Sequence, residues 1–481
     1  MDMPTPEMVK MSLAQQQTLW IFAIAGFALL VKVVHLLRNK LNHIPGPWHV
    51  KFTGVVLKYH TVSGRRLHYI HDLHKRYGPV VRMSPTEVDI SDLKGFQDIH
   101  KIGAGFLKDK WYQKFRPGKT QDTFSVIDAN NTSLRQNWEQ AVTEKVKLTV
   151  SRMKAEAMQG NSDVFQWWTL MTTDVIGLLA FGESFKMVET GMRTPFIHDL
   201  EMATKLGGVR AELGLIYKAG KILSLGFWTT LEDIETRIQE YGAVVVANAR
   251  DRTLGKANIF NSVLEDSKKE EDDMGFSDYA AAFEASGLVV AGSGTTAVTL
   301  TYLVWAVLRQ PSVQHRLEEE VAALDDGFGD AELEQLPYLN AVIQEALRLY
   351  GAAPGSLPRV VPQTGLTVQG YQIPPGTTVC TQAYTIHRDA STFEDPERFN
   401  PDRFLIPQTP AQKAAMCAFG AGSRSCLGIH LANMEMRHGV AYFFRECAGA
   451  TLARNMNDGV MEILNFFLIS PKGARCEITM T

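Results

Sequence analysis

The chain has 481 residues, of which 45% are hydrophobic and 21% charged, so it is globular and a disordered chain is excluded. Its 49 Lys and Arg residues against 52 Asp and Glu residues give a formal net charge of −3. Nucleic-acid binding needs an excess of positive charge, so the sequence predicts no nucleic-acid partner. The five cysteines never form a C-x-x-C pair, which argues against a zinc ribbon or a disulfide framework and favours a reducing compartment.

The first predicted element is an apolar run from Leu19 to Leu37. As a helix this run would be about 28 Å long, which is one hydrocarbon thickness. More basic residues follow the run than precede it, so the body of the protein is expected in the cytosol. The sequence thus predicts a single-pass transmembrane anchor within residues 1–43, a stiff linker at Ile44–Trp48 and one domain over residues 44–481. An amphipathic helix that lies on a membrane or packs on the domain is the alternative.

The domain is predicted to be mainly α-helical with a small β region. Its longest helix is expected from Asp278 to Gln310, because Pro311 ends the apolar pattern. A charge-rich segment before it, Glu265–Asp273, is interpreted as a solvated loop. Shorter helices are predicted at Leu134–Met158, Asp163–Phe181, His315–Leu324, Tyr338–Tyr350 and Ile429–Phe444. Strands are predicted at Val80–Met83 and Glu87–Ile90, and as a hairpin of Thr367–Tyr371 with Thr377–Thr381 around a Pro-Gly turn.

A glycine-rich loop, FGAGSRSCLG, runs from Phe419 to Gly428. Cys426 lies just before a predicted helix, whose unpaired N–H groups and dipole stabilise a thiolate. Such a thiolate is a nucleophile or a metal ligand, and a buried structural cysteine is the ordinary alternative. The pattern F-x-x-G-x-R-x-C-x-G resembles the haem-binding loop of the cytochrome P-450 (P450) family. The resemblance implies haem b (iron-protoporphyrin IX) with the Cys426 thiolate as axial ligand, with Phe419, Arg424 and Gly428 also binding the cofactor.

A second pattern, E-x-x-R, places Glu345 and Arg348 on one helix face. In this context it resembles the family's E-x-x-R helix, which a proline-rich stretch with an arginine follows, here Arg359. The later segment DPERFNPDRF offers two arginines, and the family pattern selects Arg403 rather than Arg398 as the third partner. The resemblance implies a buried structural network of Glu345, Arg348 and Arg403 that holds the cysteine loop, and a cofactor-binding role for Arg359.

The long helix contains AGSGTT, from Ala291 to Thr296. Each glycine inside a helix costs about 1 kcal/mol relative to alanine, and close helix packing is the plain explanation for keeping two. The segment resembles the part of the family's long helix that passes over the haem, which implies catalytic, proton-delivering roles for Thr295 and Thr296. Where the family usually has an acidic residue this chain has Gly294, so a proton relay would run through water or substrate groups.

Two further regions complete the expected site. Arg135 stands where the family has a haem-propionate arginine, whereas Asn131 replaces the usual Trp or His. Apolar residues in the family's pocket segments predict a lipophilic substrate, although each of them could equally be plain core: Phe106, Phe124, Phe283, Leu288, Leu357 and Phe467.

The resemblance covers essentially the whole chain. It implies the cytochrome P450 fold and a haem-thiolate monooxygenase that inserts one oxygen atom from O₂ into a small lipophilic molecule, with electrons from NADPH-cytochrome P450 reductase. With the anchor, the chain looks most like fungal microsomal enzymes of secondary metabolism, in the endoplasmic reticulum membrane with a cytosolic catalytic domain. Gly294 leaves open oxidative coupling or rearrangement without oxygen insertion, and a haem sensor or carrier without turnover is a third hypothesis.

Overall fold

The computed structural model describes residues 13–112, 132–199 and 278–480, together with scattered helical positions between 202 and 240. Helices are numbered along the described residues outside that scattered part. They are α1 (Leu13–Leu37), α2 (Val55–Val62), α3 (Arg66–Tyr77), α4 (Leu93–His100), α5 (Thr132–Gln159), α6 (Val164–Phe181), α7 (Met187–Thr190), α8 (Asp278–Leu308), α9 (Pro311–Ala322), α10 (Asp330–Glu334), α11 (Pro337–Tyr350), α12 (Ala383–Ile386), α13 (Pro410–Ala415) and α14 (Ile429–Glu446).

The strands are short and form small sheets. In chain order they are β1 (Val80–Arg82), β2 (Glu87–Ile90), β3 (Leu107–Lys108), β4 (Ser162–Asp163), β5 (Arg359–Val360), β6 (Leu366–Val368), β7 (Tyr371–Ile373), β8 (Thr378–Cys380), β9 (Thr451–Leu452), β10 (Ile463–Asn465), β11 (Ile469–Pro471) and β12 (Glu477–Thr479). The largest sheet has the order β1-β2-β8-β5-β3, in which β2 and β8 are parallel. The described architecture is therefore mostly helical with small β regions, as predicted.

One predicted hairpin is wrong. The antiparallel pair is β6 with β7, and its two-residue turn is Gln369-Gly370, both at positive φ (49° and 78°). That geometry matches the twist of paired strands, whereas the prolines of the expected turn have no N–H to donate to a ladder. The chain after Gly376 instead enters β8, which pairs with β2 and β5 in the largest sheet. The predicted pair of β1 with β2 is confirmed.

The long helix α8 crosses the core. It ends at Leu308, and Pro311 is the first residue of α9, so the proline separates two helices as expected. Every residue from Thr296 to Val307 is buried. A Cβ placed on Gly292 would lie 2.6 Å from Cγ1 of Ile176 in α6, so this glycine is explained by close helix packing.

At the N-terminus, the predicted anchor forms the single helix α1, with Trp20 and Phe22 about 70% exposed. Within the described residues, the apolar part of α1 is Gln17–Phe27, which is shorter than a bilayer span requires, so membrane crossing is not confirmed. One described segment, Gly287–Leu308 of α8, is long and apolar enough to cross a membrane, but 56% of it is buried inside the protein, as in a core helix. The linker after α1 packs on the domain, where the Arg82 N–H donates to the carbonyl of Pro45 at 2.8 Å.

Candidate haem site

A backbone hydrogen bond of Cys426 closes the loop before α14. The Cys426 N–H donates to the Phe419 carbonyl at 2.8 Å. Cys426 is exposed, whereas the other four cysteines are buried. Protein atoms still crowd the thiol enough that burial raises the pKa of Cys426, and the nearby backbone N–H of Gly428 opposes that rise by favouring the thiolate. The loop thus presents an accessible sulfur donor at a helix N-terminus.

The same loop lies directly on the C-terminal end of α4. Gly422 has φ of +65°, and a Cβ there would lie 1.8 Å from the carbonyl oxygen of His100. Such a distance leaves no room for any side chain, and the left-handed backbone separately favours glycine. The close contact of Gly422 with α4 therefore positions the cysteine loop against the helical domain.

Three charged side chains are buried together beneath the loop. Arg348 donates from Nε to Oε2 of Glu345 at 2.7 Å and from Nη2 to Oε1 at 2.8 Å, a bidentate pair within α11. Arg403, in the short helical turn Pro401–Phe404, donates from Nε to Glu345 Oε1 at 3.1 Å. The Glu345 and Arg348 side chains have no exposed surface and that of Arg403 has 8%. The structure therefore brings together the three residues expected to form the network.

The other arginine of the duplicated motif is placed differently. Arg398 is exposed, and only its backbone carbonyl takes part in the network, as an acceptor for Arg348 Nη2 at 3.2 Å. The backbone N–H of Asn400 also donates to Glu345 Oε1, at 2.7 Å. The segment therefore contributes backbone groups of Arg398 and Asn400 to the network, and the side chain of Arg403.

Sequence reasoning assigned no such role to His387, which joins this network to Cys417, two residues before the cysteine loop. Its Nδ1 lies 2.7 Å from the Arg348 carbonyl, and its Nε2 lies 3.0 Å from the Cys417 N–H. Because a carbonyl only accepts and an amide N–H only donates, Nδ1 carries the proton and Nε2 accepts. Burial lowers the pKa of His387 to about 3, so the ring is neutral. The local sequence HRD offers no sign of this role, because both partners are distant in the chain.

The faces of α8 around AGSGTT differ in their surroundings. Gly292 contacts α6. The Thr299 hydroxyl donates to the Thr295 carbonyl within the helix and also to the Tyr350 carbonyl of α11, at 3.3 Å. Ala291 is exposed and Thr295 is half-buried, and the Thr295 hydroxyl donates to the Ala291 carbonyl at 2.8 Å. These two residues are four apart and so share one face. In the middle of a core helix this face carries only small side chains.

Thr296, the second predicted catalytic threonine, is buried against α14. Nearby on α14, Glu435 is 1% exposed, and its Oε1 has no hydrogen-bond partner among the described residues. Burial raises the pKa of Glu435 to about 8. Sequence reasoning missed this acid, although an acidic residue on the apolar face of α14 was a usable signal.

The remaining predicted cofactor residues are placed as follows. Arg359 is 4% exposed, and its Nη1 donates to the Tyr112 hydroxyl and to the Pro358 carbonyl, both at 3.1 Å. Arg424 is exposed in the short turn Gly422–Arg424, before Cys426. Arg135 is in α5, but its side chain lies outside the described residues, as do Phe124 and the side chain of Phe283; the charge-rich segment 265–273 lies outside them too.

These observations fit a haem group. An accessible thiol with an N–H donor suits the iron, and two arginines, Arg359 and Arg424, are of the type that pairs with propionates. The small residues of α8 at Ala291 and Thr295 suit a helix that lies close to a flat group. The donor set is therefore that of a haem-thiolate site.

Comparisons with known proteins agree with this donor set. The cytochrome P450 family model matches residues 44–458. The chain is 38% identical over 468 residues to cytochrome P450 monooxygenase stcB of Emericella nidulans, covering 92% of this chain and 89% of the relative. It is 36% identical over 493 residues to cytochrome P450 monooxygenase aflV of Aspergillus parasiticus, covering 96% of each.

A relative with a different kind of name is also similar. Methylphloroacetophenone oxidase of Cladonia uncialis is 32% identical over 386 residues, covering 74% of this chain and 84% of the relative. The family match spans most of the chain, and the similarity to the monooxygenases spans nearly all of it. The chain therefore belongs to the cytochrome P450 family of oxidoreductases, in which a cysteine thiolate is the axial ligand of a haem iron.

Proposed function

We propose that the protein is a membrane-anchored haem-thiolate monooxygenase in which Cys426 is the iron ligand. The observation that carries this proposal is the setting of Cys426. It alone among the chain's five cysteines is exposed, and it lies directly before the N-terminus of α14. The reaction is insertion of one oxygen atom from O₂ into a small lipophilic molecule.

Cys447 is the nearest competitor in sequence and is unsuitable. It is fully buried at the C-terminal end of α14, and burial raises the pKa of its thiol to about 12. The negative end of the helix dipole lies there, which further disfavours a thiolate. Burial raises the pKa of the other buried thiols, Cys380, Cys417 and Cys476, as well. These four cysteines are therefore structural thiols.

When bound, haem supplies the activation of O₂, and the protein supplies position, charge and protons. Arg359, Arg424 and Arg135 would hold the propionates through charge-assisted hydrogen bonds. Phe419 and Gly428 define the two ends of the loop that presents Cys426. The buried network of Glu345, Arg348 and Arg403 is structural: it holds the segments from which the loop starts.

Protons reach the site through hydroxyl groups of α8. Ala291 and Thr295 form the open face of α8. The Thr295 hydroxyl donates to the Ala291 carbonyl, so its oxygen can accept a hydrogen bond from a water molecule on that face. Glu435, close to Thr296, holds a proton at neutral pH because burial raises its pKa to about 8. With Gly294 in place of an acid, Thr295 and water carry the final step.

The rest of the proposal concerns location and partners. The exposed apolar side chains of α1 support an anchor over about residues 19–37 in the endoplasmic reticulum membrane, with residues 44–481 as a cytosolic catalytic domain. Electrons come from NADPH-cytochrome P450 reductase. The similarity to cytochrome P450 monooxygenases of Emericella nidulans and Aspergillus parasiticus supports the resemblance to fungal enzymes, and we propose a substrate from secondary metabolism.

A second candidate function is oxidative coupling or rearrangement without oxygen insertion. Two observations favour keeping it: Gly294 removes the usual acid, and one relative is named an oxidase rather than a monooxygenase. In oxidative coupling the same site takes electrons from the substrate and O₂ accepts them, whereas a rearrangement involves no net oxidation. In either case no atom of O₂ enters the product.

Two measurements on the full-length protein with its reductase test these proposals. The reduced protein with carbon monoxide should show the strongly red-shifted Soret band of thiolate ligation, and Cys426→Ala and Cys426→His should lose it together with activity. Cys447→Ser, the matched control, should keep both. Retention of the band and turnover in either Cys426 variant would refute the ligand assignment.

Product analysis under ¹⁸O₂ separates the two reactions. Monooxygenation places one labelled atom in the product, whereas coupling or rearrangement leaves the product unlabelled. An unlabelled product from an enzyme with a normal carbon monoxide spectrum would replace the first proposal with the second.

A further inference from the structure

Arg82, in β1, is a fully buried cation with no carboxylate partner among the described residues. Its exposed fraction is 0%, and burial lowers the pKa of its guanidinium. The guanidinium donates to three uncharged oxygens: from Nε to the Ser84 carbonyl at 3.0 Å, from Nη1 to Oδ1 of Asn42 at 2.7 Å, and from Nη2 to the Pro85 carbonyl at 3.2 Å. Burying an unpaired charge is costly, so the place of this cation in the fold calls for an explanation.

Asn42 connects this cation to the end of helix α1. Its side-chain N–H donates to the Leu36 carbonyl at 3.2 Å, while its Oδ1 accepts from Arg82. The last carbonyls of a helix have no partner within the helix and carry the negative end of its dipole. The hydrogen bonds from Arg82 through Asn42 to Leu36 all point the same way, so each polarises the next. They place a positive charge behind the negative end of α1.

A second bridge runs beside the first. The Asn39 side chain donates from Nδ2 to the Pro85 carbonyl at 2.9 Å, and its Oδ1 accepts from the backbone N–H of Leu41 at 2.9 Å. The backbone N–H of Asn39 donates to the Leu36 carbonyl at 3.2 Å. Because Pro85 also accepts from Arg82, both bridges end on the turn between β1 and β2. Two asparagine side chains therefore join the end of α1 to the domain.

The segment after α1, residues 38–46, is itself packed on the domain. Leu41 and Ile44 are each 3% exposed and belong to one core cluster with residues of β1 and β2. A Cβ placed on Gly46 would lie 2.6 Å from the Arg82 carbonyl oxygen, so the backbone passes directly against β1 there. Buried contacts hold this segment, unlike a flexible tether of small polar residues.

We propose that Arg82 and Asn42 form a clamp that fixes the direction of α1 relative to the catalytic domain. A lipid bilayer that holds α1 then holds the domain in one orientation, and the domain does not swivel on its anchor. The clamp thereby sets which face of the domain meets the membrane in which a lipophilic substrate dissolves. This inference rests on the proposed function, which makes α1 the membrane anchor.

Pulsed electron paramagnetic resonance on the full-length holoprotein in phosphatidylcholine nanodiscs tests the clamp. Spin labels at Leu30→Cys on α1 and Met158→Cys at the end of α5, both exposed positions, report the distance between anchor and domain. The four buried cysteines and an iron-bound Cys426 leave the two introduced thiols as the ones that react with the label. The doubly labelled protein with no further substitution should give one narrow distance distribution.

Two variants break the clamp at different points. Asn42→Leu removes the bridge to α1 but leaves the Arg82 bonds to the turn between β1 and β2 intact. The distance distribution should become at least about twofold wider, as for a flexible linker. Arg82→Met, which removes the cation, should have the same effect. Arg76→Met is the matched control, because it removes an exposed arginine at the end of α3 and should leave the width unchanged.

Flotation with phosphatidylcholine vesicles separates this inference from the function on which it rests. A protein that does not float with the vesicles refutes the membrane part of the proposed function, and the orientation by lipid fails with it. If the protein floats and its distribution without clamp substitutions is already as wide as that of Asn42→Leu, the inference alone is overturned. Narrow distributions in both clamp variants would also overturn it, because other contacts would then hold α1. If Arg82→Met gives no haem carbon monoxide spectrum, Asn42→Leu decides alone.

Discussion

The two sides of the candidate haem site are built from different interactions. Beneath the cysteine loop, Glu345, Arg348 and Arg403 are joined by hydrogen bonds of 2.7 to 3.1 Å with almost no solvent contact. Along α8, by contrast, small residues pack by shape, and Ala291 remains exposed. On the loop side, paired charges fix one arrangement of the side chains. Along α8, van der Waals contact between small residues determines how closely the neighbouring elements pack.

This difference predicts how each side responds to substitution. Removing one partner of a buried ion pair leaves an uncompensated charge, which is strongly destabilising. Changing the shape of a packed apolar contact usually costs less, because neighbouring side chains can shift. Substitutions in the charged network should therefore prevent haem binding altogether. Substitutions on the face of α8 should change selectivity or coupling while the protein stays folded.

The largest effect is expected from Arg403→Ala. It leaves Glu345 with one of its two arginines missing and should cost about 3–5 kcal/mol of unfolding free energy and abolish haem incorporation. Arg398→Ala, the matched control, removes an exposed side chain and should stay within about ±0.5 kcal/mol. Chemical denaturation with haem absorbance measures both, and the reverse ranking would show that the wrong arginine has been assigned.

The next largest effect is expected from Gly422→Ala. The added methyl meets the His100 carbonyl at 1.8 Å, so the loop must move and thiolate ligation should be lost from the carbon monoxide spectrum. Gly449→Ala is the control, because Gly449 also has positive φ (74°) but no atom within 4 Å of its Cβ position. It should lose only about 1–2 kcal/mol from backbone strain and keep the spectrum. Equal damage in the two variants would assign the effect to strain alone.

A pH-dependent effect of intermediate size is expected at Glu435, where α14 meets α8. Its pKa is about 8 in the folded protein and 4.5 ordinarily, so between these values the folded state holds a proton that the unfolded state has released. The unfolding free energy should therefore fall as pH rises through this window, by up to about 1.4 kcal/mol per pH unit. Glu435→Gln should remove this loss.

Urea unfolding of both proteins at several pH values from 5 to 8 checks this prediction. The difference between Glu435→Gln and the wild type isolates the one carboxyl group, because every other titrating group is common to both. A difference that does not change with pH would show that Glu435 is ionised in the folded protein.

The smallest effect on stability is expected from Thr295→Ala, on the open face of α8. The protein should fold and bind haem, since Thr295 is half-buried and its hydroxyl bonds only its own helix. NADPH consumption should continue while peroxide replaces oxygenated product, because proton delivery is impaired. Measuring NADPH, peroxide and product together checks the coupling, and Thr295→Ser, which keeps the hydroxyl, should behave like the wild type.

Gly294→Asp tests the same face of α8 by adding a side chain instead of removing one. Aspartate has better helix propensity than glycine, but its Cβ would meet Leu468 at 3.3 Å. Folding should be retained with little or no gain in coupling, because the carboxylate enters an apolar setting that raises its pKa. A clear gain in product per NADPH would show that the missing acid limits the enzyme.

Local signals in the sequence determined much of this protein. The apolar pattern and Pro311 defined α8 to within two residues, and the spacing around Cys426 identified the haem loop by resemblance. The choice of Arg403 over Arg398 also followed from a local motif, and the structure places only the former beside Glu345. Each of these signals depends on residues close together in the chain.

Tertiary structure decided the rest, because the partners are far apart in sequence. β8 joins β2 and β5 instead of the local hairpin, since its N–H and C=O groups pair with those strands. His387 connects Arg348 to Cys417, and Glu435 meets Thr296, only after helices from different parts of the chain pack. Burial then sets the protonation of both side chains. No pattern within one segment encodes these contacts, because their geometry depends on how distant segments share one core.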